Sequence, residues 1–84
     1  MYIWTDGANI YCSSSSQYVL NKSTSTWSSK TWGGYTNIIG NRIWTDGINI
    51  YYSNNSTQLI LNKSTSTWSS KTWTGLPSFT GEYI

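Results

Sequence analysis

Histidine is absent from this 84-residue sequence, and cysteine and proline occur once each. With Cys12 alone, no disulfide can form within the chain. A zinc site of the thiolate–imidazole kind lacks its ligands. Charge is also scarce, with three acids (Asp6, Asp46, Glu82) against five bases (Lys22, Lys30, Arg42, Lys63, Lys71). The bases are scattered and the net charge is only +2, which argues against a nucleic-acid partner. No two carboxylates stand at a defined spacing, and no serine has an activating base, so the sequence predicts no enzyme, no metal and no cofactor. No apolar run approaches the roughly 20 residues of a membrane-spanning helix. The start, Met1 to Gly7, has no basic segment leading into an apolar stretch and does not read as a signal peptide. Localisation does not follow from these features.

What is present is aromatic: six tryptophans and seven tyrosines set among serine, threonine and asparagine. Disordered chains are poor in aromatics and richer in charge, so a folded all-β chain is expected. A chain of this length buries little apolar surface alone and ordinarily needs a staple. With disulfides excluded and metals disfavoured, association with other copies is what remains.

The sequence repeats. Ile3-Trp4-Thr5-Asp6-Gly7 through Tyr11 returns as Ile43-Trp44-Thr45-Asp46-Gly47 through Tyr51, offset by 40. Leu20 through Trp32 returns unchanged as Leu61 through Trp73, offset by 41. The added residue falls where Ser13–Ser16 faces Ser53–Thr57, a polar segment expected to be a surface loop. Residues 1–41 form the first unit and 42–84 the second. Gly81-Glu82-Tyr83-Ile84 matches Gly40-Asn41-Arg42-Ile43, so the chain stops near the phase in which it began. Two whole units of a longer array, or of a closed ring, would look like this.

In the second unit, strands are expected at 42–45, 49–52, 58–61 and 65–68. Asp46-Gly47 and Asn62-Lys63-Ser64 would be turns, and 53–57 a loop. Residues 71–73 would extend the fourth strand or cross to the next unit. A connector over 75–81 holds Pro77, which cannot donate to a ladder. Four antiparallel strands in roughly 40 residues, with a continuous apolar run at Leu59-Ile60-Leu61, suit a β-propeller blade covered on both faces.

The unit resembles a kelch-type repeat. Ile43-Trp44-Thr45-Asp46-Gly47 into Ile50-Tyr51-Tyr52 is similar to the first two kelch strands. Leu61-Asn62-Lys63-Ser64-Thr65-Ser66-Thr67-Trp68 is similar to the end of the third strand, the turn and the fourth-strand tryptophan. A weaker resemblance links the Trp27–Trp32 and Trp68–Trp73 spacing, each followed by a Gly-containing turn, to small fucose-binding lectins that build propellers from two-blade chains. The first resemblance implies a non-catalytic scaffold or protein-interaction module. The second implies a carbohydrate-binding lectin.

Two blades leave a face of each uncovered, so a homo-oligomer is expected. Propellers close at roughly four to eight blades, so three chains would give six blades, the favoured reading, and four would give eight. Trp4, Trp44, Trp27 and Trp68, with Tyr11 and Tyr51, are expected between blades. Trp32 and Trp73, beside the connectors, are the candidates for stacking on a ligand such as a sugar or a protein side chain. Asp6 and Asp46 read as turn residues, Glu82 as a surface acid and Cys12 as a passive, partly buried thiol. Asn21, Asn55 and Asn62 begin matches to the glycosylation acceptor pattern, which chance explains in this composition.

Overall fold

A computed structural model describes residues 1–76 and 78–81. The expectations placed on Pro77 and on Glu82, Tyr83 and Ile84 lie outside the described residues. The chain is all-β apart from one short 3-10 turn at Gly40–Arg42. Strands β1 (Tyr2–Thr5), β2 (Ile10–Ser13), β3 (Gln17–Asn21) and β4 (Thr26–Ser29) form one antiparallel sheet in sequential order. Strands β5 (Ile43–Thr45), β6 (Ile50–Asn54), β7 (Thr57–Asn62) and β8 (Thr67–Ser70) form a second of the same topology. The boundaries expected for all four strands of the second unit shift: β5 starts at Ile43, because Arg42 belongs to the 3-10 turn, β6 starts at Ile50, and the larger changes are at two turns. β6 runs to Asn54 and β7 starts at Thr57, so the loop shrinks to a tight turn in which Asn55 takes a positive φ of 60°. The fourth strand begins at Thr67 because Lys63 to Ser66 belong to the turn, with Ser66 at φ 54°.

The first turn of each unit is built by its own side chains. Asp6 Oδ1 accepts hydrogen bonds from the Ala8 and Asn9 N–H groups (2.9 and 2.8 Å), and Oδ2 accepts from the Tyr11 hydroxyl (2.9 Å). Asp46 repeats this with Ile48, Asn49 and Tyr51 at 2.9, 2.7 and 2.9 Å. Gly7 and Gly47 supply the positive φ the turn requires, 95° and 94°. Asn21 and Asn62, the last residues of β3 and β7 rather than members of the turn, likewise accept from the N–H and hydroxyl of Ser23 and Ser64, so their side chains brace the turn that follows.

These turns make stability depend on pH. Partial burial pushes the Asp6 carboxyl upward, but hydrogen bonds from Asn9, Ala8 and Tyr11 outweigh it, and the group lies below its ordinary 3.8. Hydrogen bonds from Asn49, Ile48 and Tyr51 lower Asp46. A carboxyl depressed in the folded state contributes stability that is present above its unfolded pKa and is lost as pH falls through the folded one. Burial, and then the bond to Asp6, pushes Tyr11 up from 10.0 to about 12. That contribution is present below 10.0 and is lost as pH rises through about 12. Urea midpoints are therefore expected to fall on both limbs. Tyr11→Phe should flatten the alkaline limb and Asp6→Asn the acid one. Unchanged limbs in both variants would sink this assignment.

The core lies between the two sheets. The first sheet presents Trp4, Tyr11 and Val19, joined by Trp32 and Ile38 from the segment that follows β4. The second presents Ile43, Ile50, Tyr52, Leu59, Leu61 and Trp68. Register explains the division. Tyr52 pairs with Leu59 and Leu61 with Trp68, so these side chains share the face turned toward the first unit. Tyr51, paired with Ile60, points to the opposite face. Ser13 and Ser53, both fully buried, each accept a hydrogen bond from an indole on the first strand of their sheet. Trp4 Nε1 and Trp44 Nε1 lie 2.9 Å from their respective Oγ atoms, so neither buried hydroxyl is stranded.

The segment linking the units crosses from one to the other and returns. The Gly33 N–H donates to Ser66 O and the Trp68 N–H to Gly33 O, both 2.9 Å, placing Gly33 as a parallel bridge on the outer edge of β8. Gln17 Nε2 then holds Ile38 O at 2.8 Å, bringing the segment back onto its own unit. Phe79 repeats the return, with Gln58 Nε2 at 3.0 Å from Phe79 O and the Gly81 N–H at 2.8 Å from Ser53 O.

Candidate functional site: the uncovered faces of the repeat

Because the two units share most of their sequence, matched residues report what covers each face. Trp68 is 2% exposed; Trp27, its counterpart, is 41% exposed. Ile43 is 3% exposed and Ile3 55%. Buried Ile50, Tyr52, Leu59 and Leu61 correspond to half-buried Ile10, Cys12, Tyr18 and Leu20. Every one of these positions lies on the face that the second unit turns toward the first. On the first unit the same face meets no further sheet among the described residues. The opposite faces differ in the reverse sense: Trp4 and Trp32 are buried, whereas Trp44 and Trp73 are half-buried. Among the described residues, the chain therefore has one junction between its sheets and, on the outer face of each sheet, the less covered counterparts of residues buried in that junction.

The expectations for single residues divide accordingly. Trp4, Tyr11 and Trp68 lie in the core between the sheets, and Tyr51 is buried on the outer face of the second sheet. Trp27 is an exception: it is 41% exposed, on a face of the first sheet that no further sheet covers among the described residues. Trp32, expected to stack on a ligand, is instead 3% exposed and locked in the core. It stacks on Trp4 at 5.6 Å, meets Trp68 edge-on at 5.8 Å, and has Lys30 Nζ 4.8 Å above its ring. A ring so enclosed offers no face to a ligand, because the connector runs on along the outer edge of β8 and leaves the Trp32 ring packed between the sheets. Trp73 repeats the geometry on the outer face, against Trp44 at 5.6 Å and Tyr51 at 5.3 Å, with Lys71 Nζ 4.8 Å over the ring. Part of its edge lines a cavity of about 450 Å³ with Tyr35, Gln58 and Lys71.

Two apolar concavities are present, only the first of them on an uncovered face. One, of about 270 Å³, is formed by Met1, Cys12, Tyr18 and Trp27 on the outer face of the first sheet. The other, of about 310 Å³, opens between the first strands of the two sheets, with Ile3, Ile10, Ile43 and Trp44 among its walls. Among the described residues, no three His, Cys, Asp or Glu side chains gather where a metal ion could be held.

Sequence reasoning missed Gly34 and Tyr35. Gly34 has φ 81°, and a Cβ there would come 2.0 Å from the Trp68 carbonyl oxygen. Tyr35 packs on Tyr52 with ring centroids 5.7 Å apart. The available signal was Gly34 itself, retained as Gly75 in the second unit next to a substituted neighbour, Thr74 for Gly33.

No protein-family model, curated protein sequence or solved structure matches the chain.

Proposed function

We propose that the chain is a non-catalytic, kelch-like pair of β-propeller blades that assembles head to tail with copies of itself into a closed ring, a structural or protein-interaction scaffold. Three copies would complete the ring with six blades, or four with eight. The observation that carries this reading is the contrast between Trp27 and Trp68, one residue in one local sequence, exposed in the unit without a neighbour and buried in the unit that has one. The exposed Ile3 and Trp27 of one end and the half-buried Trp44 and Trp73 of the other are the two halves of the junction already formed inside the chain. A contact of this kind joins different faces, so it closes by cyclic symmetry rather than by a two-fold. The lectin reading is weaker, because Trp32 is enclosed and Trp73 is overlain by Lys71.

Light scattering at several concentrations tests the proposal. The expected mass is three or four times the 9.5 kDa of one chain, constant across the range. A folded species that stays at 9.5 kDa would overturn it.

A further inference from the structure

We propose that residues Trp73–Leu76 of one copy form a docking arm that adds, in parallel, to the outer edge of β4 in a second copy. Leu76 would seat in the cavity of Met1, Cys12, Tyr18 and Trp27. The arm presupposes the self-assembly proposed above and gives it a segment, an edge and a register.

The template is inside the chain. The segment Trp32–Tyr35 leaves the first unit and lies along β8, with Gly33 bonded on both sides to the Ser66–Trp68 backbone. Lys30 Nζ reaches Ser66 Oγ at 2.8 Å, and Tyr35 covers Tyr52. In the second unit Lys71, Trp73, Thr74, Gly75 and Leu76 stand at the matching positions, and Gly75 keeps the positive φ at 92°. Yet an added Cβ on Gly75 would meet nothing within 4 Å, whereas on Gly34 it strikes the Trp68 carbonyl. Gly75 therefore keeps the positive φ of its counterpart Gly34 without the neighbouring strand that Gly34 approaches. Leu76 is likewise 61% exposed. At the other end, β4 has no partner on its outer edge among the described residues, although its Ser25-Thr26-Trp27 is identical to the Ser66-Thr67-Trp68 that receives Gly33.

The changes between units are mutually compensating. Tyr52 becomes Cys12, while Leu59, directly across the ladder from Tyr52, becomes Tyr18, directly across from Cys12. The tyrosine thus moves to the adjacent strand and leaves a depression at Cys12. The residue that would cover it changes in step, from Tyr35 to the smaller Leu76. Thr74 replaces Gly33, whose added Cβ would lie 3.1 Å from the hydroxyl of Thr67, a contact that a side-chain rotation at Thr26 would relieve.

The test uses the full chain and three variants. Gly75→Ala and Leu76→Asp are expected to shift the assembly midpoint at least about tenfold toward monomer in light scattering. Gly47→Ala, at a matching positive φ with equal open space, should not. Cys12 should be alkylated at least about tenfold faster in the two arm variants than in the assembled wild type, since its counterpart Tyr52 is fully covered. If Gly75→Ala is too strained to fold, Leu76→Asp decides alone, because that side chain is exposed in the single chain. Multimers that persist in the arm variants, or Cys12 reacting equally fast in all, would overturn the arm while leaving self-assembly standing. A monomeric wild type would overturn both.

Discussion

Alanine at Trp68 is expected to unfold the chain, whereas alanine at Trp27 should leave each chain folded and only dissociate the proposed assembly. The two residues sit in identical thirteen-residue segments, so no difference of local propensity enters. Trp68 is surrounded by Trp4, Trp32 and Tyr52 at centroid distances of 6.0, 5.8 and 6.2 Å, and is 2% exposed. Truncating such a residue costs about 3–5 kcal/mol, from lost burial and from the cavity left behind. A domain of this size has a total stability of roughly 4–12 kcal/mol, so the loss takes a large part of it. Trp27, 41% exposed, has far less to lose within its own chain. Far-ultraviolet circular dichroism and light scattering on the same samples separate the outcomes. Trp68→Ala should lose its β signal, and Trp27→Ala should keep it at monomer mass. If both variants unfold alike, a single chain does not hold itself together by the core between its sheets, and folding and assembly are one step.

The architecture was legible because it is written in repeats and turns. Asp6-Gly7 and Asp46-Gly47 mark hairpins whose bonding is completed locally by Thr5, Asn9 and Tyr11 and their counterparts, so the local sequence suffices. The two four-stranded antiparallel sheets followed. What was not legible is anything that differs between identical residues. Trp27 and Trp68 cannot be told apart by sequence, since their burial depends on whether another unit lies against them. Trp32 was misplaced for a related reason. Glycines after a tryptophan suggest a surface turn, whereas here Gly33 and Gly34 are small so that the backbone can press against β8. A close approach between segments more than thirty residues apart leaves only a missing side chain in the sequence, and a turn leaves the same mark.

Gly34 is where that approach can be measured directly. Gly34→Ala would place a Cβ 2.0 Å from the Trp68 carbonyl oxygen, and that oxygen belongs to the backbone of β8, so no side-chain rotation relieves the contact. The connector must lift, which breaks the two 2.9 Å hydrogen bonds between Gly33 and β8 and uncovers the Trp32 and Trp68 rings. A left-handed alanine costs about 1–2 kcal/mol by itself. Two backbone hydrogen bonds add about 0.5–1.5 kcal/mol each, for a sum near 3 kcal/mol before any loss of packing. Gly47→Ala, at φ 94° with open space around it, carries the conformational cost alone and serves as the reference. With about 4–8 °C of melting temperature per kcal/mol in a domain this small, Gly34→Ala should melt at least about 10 °C below Gly47→Ala. Equal melting temperatures would mean that the strand addition at Gly33 contributes nothing to holding the two sheets together. The same geometry could then no longer be extended to the arm at Gly75, since a contact that does not stabilise the junction within the chain gives no reason to expect it between chains.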